Sequence, residues 1–110
     1  MAVLTVEVFA LADEDATPLT QPQQYGVSKR LAPAMAPLRR RCGTDLVVLS
    51  CTLTPYDDGV FVHALCVAPS ASTATEAIAH ELSVAMAAEP AFFDTWALYT
   101  GQTCIHSSDN

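Results

Sequence analysis

The chain is poor in positive charge. Five Lys and Arg residues stand against twelve Asp and Glu in 110 residues, a formal net charge of −7. That balance excludes a nucleic-acid backbone or an anionic membrane as the main partner, because both are gripped through basic side chains. Charge of either sign is scarce, at 15% of residues, well under the usual quarter. A chain so lightly charged, and 51% apolar, is not a disordered tail. Long hydrophobic runs are missing too. The apolar stretches are strand-sized, far short of the ~18 residues that span a bilayer. There are only four glycines, and no Gly-rich phosphate loop. GxSxG, HExxH and Cys/His ligand spacings are absent as well, so no standard catalytic motif or metal or cofactor signature is present.

The cysteines are Cys42, Cys51, Cys66 and Cys104, and none forms a CxxC pair. This gives no support to a zinc site or a disulfide framework, and free, mostly buried thiols are expected. The N-terminal run Met1-Ala2-Val3-Leu4-Thr5-Val6-Glu7 has no basic region and alternates like a strand. It predicts no signal peptide, and hence a cytoplasmic location. Arg outnumbers Lys, and Ala, Pro and Thr are abundant, a bias expected of a GC-rich bacterial genome.

What is present fits one domain over residues 1–110, with 106–110 expected as a frayed tail. Eighteen of the apolar residues are alanine, so the core of large side chains is smaller than the apolar fraction suggests. Residues 2–11 alternate: Leu4, Val6, Val8 and Ala10 on one face, Val3, Thr5, Glu7 and Phe9 on the other. Such alternation predicts a strand. Asp13-Glu14-Asp15, Pro18 and Pro22 mark a polar loop. Val27, Leu31, Met35, Leu38 and Cys42 then recur at helical spacing. Pro33 and Pro37 conflict with a regular helix, since each lacks a backbone donor; a kinked helix or two short ones is expected. Arg39-Arg40-Arg41 suits a helix C-terminus and Gly43 a stop.

Two β-branched runs, 45–54 and 60–68, flank Pro55-Tyr56-Asp57-Asp58-Gly59, which predicts a hairpin. With a three-residue loop, Tyr56 faces Val60. Cys51 and Leu53 then share a face with Phe61, His63, Leu65 and Val67. A two-residue loop reverses that parity. Thr73 with Glu76 reads as a capping box, Ile78, Leu82, Ala85 and Met86 form a helical stripe, and Pro90 ends it. A last strand is expected within 93–105. The order strand, helix, strand, strand, helix, strand predicts an α+β, ferredoxin-like βαββαβ plait. Its mostly antiparallel sheet has strand order 4-1-3-2, with both helices on one face.

Neither face of such a sheet is properly polar. The face without helices exposes an apolar patch, which soluble monomers rarely do. A second copy in a two-fold dimer is the expected cover; a protein partner or a small apolar ligand are the alternatives. Among chemical candidates, His63 sits mid-strand on an apolar face. It reads as a general base, or with Cys51 as a nucleophilic pair, against a half-buried structural histidine. Trp96 and Tyr99, on opposite faces of the last strand, read as pocket walls or as core and interface packing. Tyr25 reads as a pocket mouth or a hydrophobic staple. The arginine triplet, Asp57-Asp58 and Asp13-Glu14-Asp15 read as solvated helix end, turn and loop, with an anion grip or a cation site as the functional alternatives. His80 reads as solvated, and His106 takes no role. The function classes left open are an interaction or ligand-binding module, a cofactor-independent enzyme on an apolar organic substrate, and an accessory subunit.

Overall fold

The computed structural model describes residues 2–39 and 46–108. Strand β1 (Ala2–Leu11) follows the alternation of its sequence: Ala2, Leu4, Val6, Val8 and Ala10 are buried and the residues between them half-buried. Helix α1 spans Gln21–Leu31 and continues as a 3-10 helix over Ala32–Arg39. Strands β2 (Val47–Tyr56) and β3 (Gly59–Ala68) form the hairpin. Helices α2 (Ala71–Ala87) and α3 (Pro90–Phe93) precede β4 (Ala97–Ser108). The four strands lie in the order β2-β3-β1-β4, every neighbour antiparallel. Counted from the β4 edge, that order is 4-1-3-2. The result is an open antiparallel sheet with helices, an α+β fold.

All helices bury their apolar residues in one cluster against one face of the sheet. Val27 and Leu31 of α1, Met35 and Leu38 of the 3-10 helix, and Ala74, Ile78, Leu82 and Met86 of α2 share one buried cluster with the inward residues of the sheet, α1 over β2 and β3, the 3-10 helix over β2, and α2 over β1, β3 and β4. No polar or charged residue is buried among the described residues. Helices and sheet are therefore joined by apolar contact, at roughly 25 cal/mol per Å² removed from water. A hydrogen bond of 3.1 Å between Thr75 and Thr103 adds a polar tie between α2 and β4.

Local chemistry moves several expected boundaries. Helix α1 starts six residues before Val27, because Thr20 and Gln23 form a capping box and Pro22 sits in the first turn, where its missing donor costs nothing. The expected stripe Val27, Leu31, Met35 and Leu38 is buried as a unit. Pro33 and Pro37 lie exposed on the other side, and the chain tightens to 3-10 geometry where they occur. Cys42 and Gly43 fall outside the described residues, as do Arg40 and Arg41. Helix α2 is capped by Ser70, whose hydroxyl accepts from the Thr73 amide at 3.2 Å, rather than by the Thr73–Glu76 box. Strand β4 runs on through His106 to Ser108 instead of fraying at 106. The start of the expected last strand is instead helix α3 and a turn.

The hairpin carries the main correction. Its loop has two residues, with Tyr56 opposite Gly59 rather than Val60. Cys51 therefore pairs with Ala64 and Leu53 with Val62, on the helix-covered face, while Thr52 pairs with His63 and Thr54 with Phe61 on the open one. A bulge at Leu49 then shifts the register, so that Val48 pairs with Cys66 and Val47 with Val67. The physical gain is polarity: Cys51 and Leu53 turn inward while Ser50, Thr52 and Thr54 turn out. Pro55 fits because β2 is an edge strand, whose outer amides have no ladder partner.

Gly59 is required at the turn. Its φ is +158°, and a Cβ there would stand 2.0 Å from the Ala10 carbonyl oxygen on β1. Only a residue without a side chain lets β3 begin this close to the central strand. Gly59→Ala is expected to lower stability by more than ~2 kcal/mol in urea unfolding, since backbone must move. Gly26→Ala, whose Cβ would press on the flexible end of Arg30 at 2.9 Å and meet the Phe92 ring at an ordinary contact of 3.6 Å, should change it by less than ~1 kcal/mol.

Candidate functional site

The outward face of the sheet carries Val3, Thr5, Glu7, Phe9 and Leu11 from β1 and Phe61, His63, Leu65 and Val67 from β3, all half-buried. The strand neighbours alone account for this partial burial. No helix packs on this face among the described residues. A polar row crosses its middle: Thr52 on β2, His63 on β3, and Glu7 on β1 directly opposite His63. Aromatic rings flank the row. Phe9 and Phe61 have centroids 5.0 Å apart, Phe61 stacks on His63 at 6.0 Å and 26°, and Tyr99 lies opposite Phe9 on β4.

Glu7 is held by a bulge. Between Val6–Thr103 and Val8–Thr100 the single residue Glu7 faces both Gly101 and Gln102. The Gln102 amide, displaced from the ladder, donates to the Glu7 carboxylate at 3.1 Å. A Cβ on Gly101 would press to 3.0 Å on both Glu7 and Phe9, so the glycine makes room for the carboxylate and the ring. A second irregularity follows Val3, where His106 is the unpaired residue. It lies within hydrogen-bonding distance of the Thr5 hydroxyl, Nε2 to Oγ1 3.2 Å. His106 thus takes part in the open face. The signals for both features in the sequence are slight: a lone acid on an apolar strand face, and a glycine opposite it.

The expected pairing of His63 with Cys51 does not form. The two-residue loop sends them to opposite faces of the sheet. Cys51 packs against the core, and burial pushes its thiol pKa up, with the Arg39 guanidinium opposing this more weakly. The net upward shift disfavours a thiolate nucleophile. What His63 has beside it is a carboxylate, though no ion pair within 4.0 Å forms at His63 among the described residues. A carboxylate next to an imidazole is an arrangement that orients a general base.

Trp96 and Tyr99 do not share the last strand as expected: Trp96 lies just before β4, after the Asp94–Thr95 turn, and Tyr99 within it. Trp96 is half-buried beside Phe93, their rings edge to face at 5.0 Å and 88°. It lines a cleft of about 360 Å³ with Ser83, Met86 and Ala87 of α2, Pro90 and Phe93 of α3, and Asp94 and Leu98. Tyr99 is 55% exposed on the open face. Tyr25 is 70% exposed on α1; the apolar residue that packs against the core at the start of that helix is Leu19.

The acidic segments act as backbone connectors. Asp13 accepts the Asp15 amide at 3.3 Å within its own loop. The carbonyls of Asp57 and Asp58 accept from Leu19 and Ala12, at 2.8 and 3.0 Å, and tie the β1–α1 connection to the hairpin turn. Among the described residues no group of three or more His, Cys, Asp or Glu side chains is placed to hold a metal ion. No described helix is long and apolar enough to cross a membrane. His80 is exposed on α2, away from the stripe. Comparison of the chain with protein-family models, curated proteins and solved structures finds no match.

The three described cysteines should differ sharply in reactivity. Cys66 is fully buried and burial raises its thiol pKa from 9.0 to about 11, whereas Cys104 is exposed on β4. At neutral pH a water-soluble thiol reagent is expected to modify Cys104 rapidly and Cys66 only on unfolding. Cys104→Ser removes one rapid equivalent. The folded chain keeps the Cys66 proton to about pH 11 while the unfolded chain releases it near 9.0. The contribution of that thiol to stability is therefore whole below pH 9.0 and is lost as pH rises towards 11. A denaturation series from pH 8 to 11 reads this directly.

Proposed function

We propose that the chain is a ferredoxin-like plait that works as an interaction module, pairing its open sheet face with a second copy of itself. The observation that carries this reading is the uncovered face: Val3, Phe9, Leu11, Phe61, Leu65 and Val67 stand together on it, with every described helix on the other side. The antiparallel order that reads 4-1-3-2 from the β4 edge supports the plait, as does the alternation of strands and helices along the chain.

Charge and area favour a second copy as the occupant. The chain carries a net −7, so most of its surface repels another copy. Glu7 is the one carboxylate among the described residues of the open face, and the face is otherwise apolar or neutral. Contact there brings together the least charged surface the chain has. With strands ~4.8 Å apart and ~3.3 Å of rise per residue, four strands of about ten residues present ~600 Å² of flat surface. Two copies then remove ~1,200 Å², the lower bound of a specific interface. An isologous pairing places the polar row near the centre, where His63, Thr52 and Glu7 can bond across it.

Sedimentation velocity should show a dimer at micromolar concentration. Leu65→Glu places a charge at the centre of the face and should yield a folded monomer, because Leu65 is outside the core cluster. A wild-type chain that stays monomeric at tens of micromolar would overturn the reading. A second reading, a cofactor-independent enzyme on an apolar organic substrate, is favoured by the opposition of Glu7 and His63. It needs the partner's face to enclose His63, so it fails with the dimer.

A further inference from the structure

The aromatic cluster at the end of α2 has two sides, and the chain shows on one of them what the other can do. On the first side Arg30 lies over the Phe92 ring, its guanidinium carbon 4.2 Å from the centroid. The same guanidinium approaches Glu89 at 3.9 Å. A cation there is shared between a ring face and a carboxylate, which is the arrangement that makes cation–π contact effective at a surface.

The second side is the cleft of about 360 Å³ between α2, α3 and the start of β4. It offers the same two groups, the Trp96 indole and the Asp94 carboxylate, and among the described residues no Lys, Arg or His pairs with Asp94. A third feature points the same way. Met86 and Ala87 belong to the last turn of a 17-residue helix that has no basic residue in that turn, and Ser83 lies just before it. The negative end of the α2 dipole is therefore left uncompensated by side-chain charge at the cleft. Met86 and Leu98 supply apolar wall. The volume lies at the lower end of the ~300–1,000 Å³ range of ligand pockets, so the occupant is small.

We propose that this cleft binds a small organic ammonium ion bearing apolar substituents, with the cation on Trp96, Asp94 and the α2 C-terminus and the substituents on Met86 and Leu98. The site lies on the helical side of the sheet and does not depend on the pairing of the open face.

Trp96 is the single tryptophan of the chain, so its emission reports the cleft without a label. Choline is a suitable probe, and 3,3-dimethylbutan-1-ol, of nearly the same shape but uncharged, is its control. Choline should quench or shift the Trp96 emission saturably, with affinity falling as salt rises. The neutral control should bind at least about tenfold more weakly. Asp94→Asn, at an exposed turn residue, should weaken choline by about tenfold with an unchanged circular dichroism spectrum and unfolding midpoint. Calorimetry on Trp96→Leu should show no choline binding, while Trp96→Phe retains part of it. Equal binding of the neutral control would reduce the site to an apolar groove and overturn the proposal. So would the absence of a saturable response from the folded wild-type chain, or unchanged affinity in Asp94→Asn.

Discussion

The structure depends on β1 having both of its edges paired. It lies between β3 and β4, hydrogen-bonded to each. Because strand side chains alternate, this double pairing commits five of its residues to one face and five to the other. The inward five are small or branched; α2 packs directly on them, while α1 covers β2 and β3 and the 3-10 helix covers β2 beside them. Everything that distinguishes the outward face follows from the same commitment. Glu7 cannot reach the core or the helices, so it lies opposite His63 and accepts from the displaced Gln102 amide instead. Phe9 must pack outward against Phe61, their rings tilted at 49°.

Edges and turns adapt to that central strand. Gly59 lets the hairpin start against the Ala10 carbonyl, and the loop shrinks to two residues as a result. The bulge at Leu49 and the two irregularities of β4 sit on the edge strands. At edges bulges cost little pairing, and they twist the strand away from further neighbours. Of the two on β4, one brings the Gln102 amide to Glu7 and the other brings His106 to Thr5. Glu7, His63 and Thr52 face outward by regular alternation, and the departures from pairing supply partners to that face.

The other end of the molecule is built differently. The cluster Phe92, Phe93 and Trp96 closes the core below α2, and the rings meet at steep angles. Steep contacts leave part of each ring face free, and Arg30 already occupies one. An acidic chain with few bases compensates only some of its carboxylates, and Glu89 is one of them. The apolar sheet face and the aromatic cleft thus have separate origins: a covering that stops at one layer, and a charge balance that runs short of cations.

Much of this was legible along the chain. The alternation of residues 2–11, the stripe Val27–Leu31–Met35–Leu38, the hairpin, and the helix from the segment after Pro69 are local patterns, and each element appears where its period predicts. Period and capping act over a few residues, so a sequence carries them by itself. The face on which Cys51 lies was not legible. It turns on whether the loop has two residues or three, and the approach of Gly59 to Ala10, 49 positions apart in sequence, settles it. The bulges that bring the Gln102 amide to Glu7 and His106 to Thr5 were hidden for the same reason, since a bulge is a mismatch between two strands and neither strand shows it alone. Likewise, the cleft joins residues of α2, α3 and β4. Local sequence thus determined which segments are helix and strand and which residues of each are apolar. Only the tertiary structure decided which side chains face one another, because register and packing are set between segments rather than within them.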